Sequence, residues 1–139
     1  MPLDIKICGL STPETVAAAL DGGASHVGFI FFPKSPRNVA PADAGRLREA
    51  ARGRAREVAV TVDATDDQLR EIVDAMAPDL VQLHGKETPA RVAQVRERFR
   101  LPVMKALAVE GPDDLARAKD YVEVADRLLL DAKAPKDSQ

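Results

Sequence analysis

The chain has 139 residues, 45% of them hydrophobic and 30% charged, so it can bury a core and does not read as disordered. Lys and Arg number 20 against 22 Asp and Glu, a formal charge of -2, with 4% aromatics and no Trp. That balance indicates neither a nucleic-acid surface nor a membrane-binding one.

The single cysteine excludes an intramolecular disulfide and a multi-thiolate metal site, and it fits a reducing compartment. No apolar run reaches the ~18 residues of a membrane span. Met1-Pro2-Leu3-Asp4 lacks the basic and apolar regions of a signal peptide. The expectation is one soluble, cytoplasmic domain over residues 1–139.

In chain order, a short apolar run at Leu3–Cys8 predicts the first strand. Ser11-Thr12-Pro13-Glu14 offers a capping box, and Val16, Ala19 and Leu20 form a helix face that Gly22-Gly23 ends. Val27–Phe32 and Glu57–Val62 read as strands two and three. Asp66-Asp67 then suits a helix start, and Leu69, Ile72, Val73 and Met76 recur on one helix face. Leu80–Leu83 is the fourth strand. Glu87-Thr88-Pro89 reads as the start of the helix carrying Val92, Val95 and Phe99. Pro102–Leu107 is the fifth strand, followed by a helix from Pro112-Asp113-Asp114 with Leu115, Ala118 and Val122 on one face. Arg127–Leu130 is the sixth.

Strand and helix thus alternate at intervals of roughly 20 to 30 residues, the period of βα units in a parallel sheet. On length, an open doubly wound sheet is favoured over an eight-stranded barrel, which takes ~200 residues or more. Yet Cys8-Gly9-Leu10-Ser11 is not a dinucleotide fingerprint, and no phosphate-binding P-loop pattern occurs.

Parallel α/β folds carry their chemistry at the C-terminal ends of strands. Cys8, Arg37, Asp63, His84 and Asp131 stand there. Cys8 lies before a helix start and on the same face as Lys6, features that favour a thiolate; a small buried hydrophobe is the alternative. Asp131 follows Leu128-Leu129-Leu130, where an apolar setting would favour the protonated acid; a solvated strand-end carboxylate is the alternative. Arg37 can grip a carboxylate or phosphate, or simply sit on the surface. His84 has no second histidine at ligand spacing, so zinc is not indicated. Asp66-Asp67 and Asp113-Asp114 are assigned to helix N-termini.

Four segments stand in order at strand ends: Lys6-Ile7-Cys8-Gly9-Leu10, Gly28-Phe29-Ile30-Phe31-Phe32-Pro33-Lys34-Ser35-Pro36-Arg37, Val81-Gln82-Leu83-His84-Gly85-Lys86-Glu87 and Leu128-Leu129-Leu130-Asp131. Together they resemble the N-(5′-phosphoribosyl)anthranilate isomerases of tryptophan biosynthesis. The resemblance covers essentially the whole chain. It implies a (β/α)8 TIM barrel, of which this chain holds the first six strands, and so overturns the length argument. It places the end of the chain in the loop after strand six and the phosphate site beyond it.

The reaction so implied is an Amadori rearrangement that needs an acid, a base and no cofactor. By position in the motifs, Cys8 is the general base and Asp131 the general acid. Arg37 matches the residue that holds the anthranilate carboxylate. His84 is a substrate-binding position without an assigned step. Asp63 falls where the family more often has Asn. Near pH 7 the thiol needs a lowered pKa and the carboxyl a raised one. Uncovered edges on an incomplete barrel lead to the expectation of little activity from these residues alone. They also predict a homo-oligomer or a complementary C-terminal fragment as partner. A non-catalytic, self-associating barrel fragment and a barrel isomerase or lyase for another phosphosugar are the alternatives.

Overall fold

The computed structural model describes residues 3–132. It contains β1 (Lys6–Ile7), α1 (Pro13–Asp21), β2 (His26–Phe31), α2 (Pro41–Ala51), β3 (Arg56–Thr61), α3 (Asp66–Met76), β4 (Leu80–Leu83), α4 (Pro89–Phe99), β5 (Val103–Val109), α5 (Pro112–Ala118), a 3₁₀ turn at Lys119–Tyr121 and β6 (Arg127–Ala132). All six strands are parallel and lie in the order β1-β2-β3-β4-β5-β6.

A parallel crossover is right-handed. When strand order never reverses, every helix falls on the same face, and the sheet curls away from the helices. A doubly wound sheet needs a reversal, and this one has none. The open doubly wound expectation is therefore wrong. The six strands are an arc of a barrel.

Side-chain alternation sorts residues between the two faces. On the outer face, Val27, Phe29 and Phe31 pack with Val16, Leu20, Ala44 and Ala51 of α1 and α2. Val81, Leu83 and Val103 pack with Leu69, Val92, Val95 and Phe99 of α3 and α4. On the inner face, Ile30, Val58, Val60, Leu80 and Met104 form a separate cluster, joined by Cys8, Phe32 and Leu129. Strands covered on both faces read as continuous apolar runs, which is why the sequence shows them as such.

Three threonines start helices. Thr12 accepts from the Thr15 N–H, Thr65 from Gln68 and Thr88 from Arg91, each cap worth about 1 kcal/mol. The first corrects the sequence reading: Thr12, not Ser11, is the cap, because Pro13 takes the first helical position and Thr15 completes the box. The helical face Leu115, Ala118 and Val122 is a second correction. The chain tightens to 3₁₀ at Lys119, which takes Val122 off that line, and Leu115 and Val122 are 48% and 60% exposed.

β1 pairs only with β2, and β6 only with β5. The first strand is two residues long, not the six expected. Its neighbours still bond across, since the Ile5 carbonyl accepts from the Ser25 and His26 N–H groups. Across the inner side, Arg127 Nη1 of β6 reaches Asp4 Oδ2 before β1 at 3.1 Å. Ile5, Ile7 and Leu130 remain exposed on these edges.

At the N-terminal end of the strands, Glu57 is 2% exposed beside Arg48 and Asp79. Arg48 Nη2 lies 3.3 Å from Glu57 Oε2, and Asp79 Oδ2 accepts the Glu57 N–H at 2.8 Å. Burial and a hydrogen bond to Asp79 push the Glu57 carboxyl up to about 7, against the pull of Arg48.

With apolar side chains exposed on these edges, the 139-residue chain should self-associate at concentrations on the order of tens of micromolar in sedimentation. Ile7→Lys and Leu130→Lys return it to monomer without unfolding it; a native chain already monomeric there would refute the idea. Separately, Glu57 holds its proton in the fold more tightly than when unfolded. Its contribution is full below about pH 4.5 and is lost as pH rises through about 7, a fall of at most about 3 kcal/mol. Urea unfolding at pH 5 and pH 8 should show this fall in the native chain and a smaller one in Glu57→Gln.

Candidate active site

The strands end together at one rim of the arc. At β1, Lys6 and, just past the strand, Cys8 point to the inner face above Gly28 of β2. A Cβ on Gly28 would stand 3.3 Å from Cys8 Sγ and 3.3 Å from Lys6 Cε, so glycine is what lets both side chains lie there. The Gly28 carbonyl accepts the Gly9 and Leu10 N–H groups at 3.0 and 3.1 Å, turning the chain just past Cys8. Gly9 takes φ +78° in that turn. The Arg37 side chain crosses Gly9 closely enough that a Cβ there would overlap the guanidinium. Its Nη1 donates to the Cys8 carbonyl at 3.2 Å. Ser35 Oγ fixes the loop by accepting the Arg37 N–H at 3.1 Å. Cys8 is half-buried, and Arg37 is exposed.

The other half of the rim comes from β4 and β6. Gln82 is buried on β4, and its Nε2 donates to His84 Nδ1 at 3.0 Å. The ring's other nitrogen, Nε2, lies 3.6 Å from Asp131 Oδ2. Asp131 stands within β6, one residue before its end, two residues after the inward-facing Leu129. Its side chain is 57% exposed. The burial suggested by the apolar run before it is not present, because β6 is an edge strand.

Behind the second half, on the helix-facing side of the sheet, lies a buried knot. Lys105 of β5 is 1% exposed, and its Nζ meets Glu87 Oε1 at 2.8 Å and the Gly85 carbonyl at 2.8 Å. Glu87 Oε1 also accepts the Gly85 N–H at 2.8 Å, and Oε2 accepts the Asp63 N–H at 2.9 Å. Burial alone would raise the Glu87 carboxyl, but Lys105 and the backbone N–H groups of Glu87 itself and of Asp63 outweigh it and hold it below its ordinary value. Asp63 lies two residues past β3 at φ +47° and accepts the Lys86 N–H at 2.8 Å. Among the described residues no group of three or more His, Cys, Asp or Glu is arranged to hold a metal, and no helix is long and apolar enough to cross a membrane.

Residues 5–138 match the family described as N-(5′-phosphoribosyl)anthranilate (PRA) isomerase. The chain belongs to that family. It is 65% identical over its whole length to the N-(5′-phosphoribosyl)anthranilate isomerase of Mesorhizobium japonicum, of which it covers 64%. It is 62% identical to that of Brucella abortus, covering 63%. The chain therefore spans a little under two thirds of these relatives. Among solved structures, the phosphoribosyl anthranilate isomerase of Thermotoga maritima superposes with a TM-score of 0.89 at 32% identity, over 97% of this chain and 64% of that one. A phosphoribosyl anthranilate isomerase in complex with reduced 1-(o-carboxyphenylamino)-1-deoxyribulose 5-phosphate superposes at 0.86 with 32% identity, over 95% of this chain and 66% of that one. The arc is thus the first six strands of the family's barrel.

Of the residues singled out in the sequence, Cys8 and Arg37 meet through the Cys8 carbonyl, and His84 and Asp131 meet side chain to side chain. Asp66 serves as expected near a helix start, where Arg91 bonds its carboxylate at 2.7 Å and holds its pKa down. Glu87 does not serve α4, whose cap is Thr88; it belongs to the knot. Lys105 and Gln82 were missed. Their signal was present: a charged or amide side chain inside an apolar strand requires a buried partner.

Gly9→Ala should destabilise the chain by about 1–2 kcal/mol in urea unfolding, through its left-handed φ and the overlap with Arg37. Arg37→Ala in the same chain should recover the overlap part, read as a coupling in a double-mutant cycle. Additive losses would mean that the guanidinium does not lie across Gly9.

Proposed function

We propose that this chain is the greater part of a phosphoribosylanthranilate isomerase, acting on N-(5-phosphoribosyl)anthranilate by acid–base catalysis. The observation that carries the reading is the shared inner rim: Cys8 just past one edge strand and Asp131 on the other, both above one interior cluster through Cys8 and Leu129. Its support is the family membership and the 65% identity to the Mesorhizobium isomerase.

Asp131 as acid gives its proton to the furanose ring oxygen. The C1–O bond breaks, and the anthranilate nitrogen's electron pair forms an iminium. The Cys8 thiolate takes the proton from C2, giving an enolamine. Protonation at C1 and loss of the hydroxyl proton yield the aminoketose, an isomer of the substrate. The reaction has no net redox change. Arg37, exposed beside Cys8, is suited to the anthranilate carboxylate through its planar fork. His84, with its Nε2 toward Asp131, orients that carboxyl and lies within the substrate's reach.

The relatives are longer than this chain, and full turnover is assigned to the longer form. Joined to the remaining segment of the Mesorhizobium relative, the chain should consume phosphoribosylanthranilate, followed by loss of fluorescence. Alone it should be at least ~100-fold slower, since remote binding that orients the substrate is reduced. In the joined form, Cys8→Ser and Asp131→Asn should each lower kcat by ~100-fold or more. Arg37→Ala should raise KM by ~10-fold or more. Near-native kcat in either of the first two removes that residue from its role.

A further inference from the structure

We propose that Lys105 and Glu87 form a positioning pair for the candidate active site, fixing the turn from Leu83 to Glu87 so that His84 is held with Nε2 toward Asp131. The consequence for turnover rests on the isomerase reading. The consequence for His84 does not.

The hydrogen bonds of this turn carry the argument. The His84 N–H donates to the Thr61 carbonyl at 2.8 Å. The Gly85 N–H and carbonyl are both taken by the pair, through Glu87 Oε1 and Lys105 Nζ, each at 2.8 Å. The Lys86 N–H goes to Asp63 Oδ1, and the Glu87 carbonyl accepts the Tyr121 hydroxyl at 2.8 Å. Glu87 Oε2 returns to the Asp63 N–H. One ion pair thus ties the ends of β3 and β4 to the interior of β5. Gly85 completes the fit: a Cβ there would stand 2.6 Å from the Asp63 carboxylate, so the two loops press together with no side chain between them.

Stability does not account for this arrangement. A buried ion pair is on average no better for a fold than apolar side chains of the same volume. Lys105 sits on the face where Leu83, Val103 and Leu128 are apolar. What the pair supplies and apolar side chains cannot is a set of directed contacts to the backbone flanking His84. Neither member is placed to touch substrate, so its action is through His84 and Asp131.

The test uses Lys105→Met with Glu87→Gln, which leaves no buried charge behind. The chain has two histidines, so His84→Gln assigns their ring resonances. In the 139-residue chain, the His84 ring shifts and titration midpoint should change in the double variant while those of His26 do not. In the joined form, kcat should fall by ~10- to 100-fold with KM changed by less than ~3-fold. A folded double variant with native His84 resonances overturns the proposal. Should it not fold, Tyr121→Phe removes only the hydroxyl that holds the Glu87 carbonyl; it should move His84 in the same sense by less, and an unmoved His84 overturns the proposal equally. Moved His84 resonances in a joined form without isomerase turnover would instead discard the isomerase reading and leave the positioning pair standing.

Discussion

Parallel pairing of each strand with its neighbour in sequence is the constraint on which the rest depends. With every crossover right-handed, it sends all helices to one side. The inner face is left to a small apolar cluster and, above it, to polar side chains. It also brings every strand's C-terminal end to one rim. Cys8, Arg37, Asp63, His84 and Asp131 are far apart in sequence, yet all stand at or just past these strand ends. The opposite rim has a different character. There Arg48, Glu57 and Asp79 bind α2, β3 and the turn before β4 to one another, a contact that serves the scaffold.

Within the candidate rim, rigidity and the proposed chemistry lie on different strands. Cys8 and Asp131 sit on or beside β1 and β6, each with one neighbour and each partly open to solvent. Directed hydrogen bonds concentrate on β3, β4 and β5, which have neighbours on both sides. Two glycines supply clearance where a directed bond is not available. Gly28 leaves room beneath Cys8 and Lys6, and Gly9 leaves room for Arg37. Such clearances are as specific as contacts, because adding one carbon atom removes them.

The alternation of strands and helices was legible in the sequence because each element announces itself locally. The faces of α3 and α4 follow from period 3.6 alone, and their buried residues are the expected ones. The residues at strand ends were legible for the same reason. What escaped depends on partners distant in the chain. Glu87 precedes Thr88-Pro89, and locally nothing separates it from an acid at a helix start. Only Lys105, 18 residues on, decides its place. Ser11 and Thr12 are both good caps, and Pro13 chooses between them by fixing where the helix begins. The apolar run before Asp131 suggested burial, but burial is a property of neighbours, and an edge strand has too few.

The knot shows why a sequence with an ordinary apolar core keeps charges inside it. An unpaired buried ion is severely destabilising, by about 3–5 kcal/mol, so Lys105 and Glu87 can only be present together. Buried ion pairs on average match apolar residues of the same volume in stability, and what this pair adds to the turn is direction. Apolar packing fixes volume and leaves a turn free to shift by fractions of an ångström at little cost. Charged hydrogen bonds at 2.8 Å do not. An imidazole 3.6 Å from a carboxylate on an exposed edge strand is set by the buried Gln82 amide at its Nδ1 and by the backbone beneath it, and that backbone is held there by this pair. The buried charges therefore belong to the same functional unit as the exposed ones, although none of them reaches the rim.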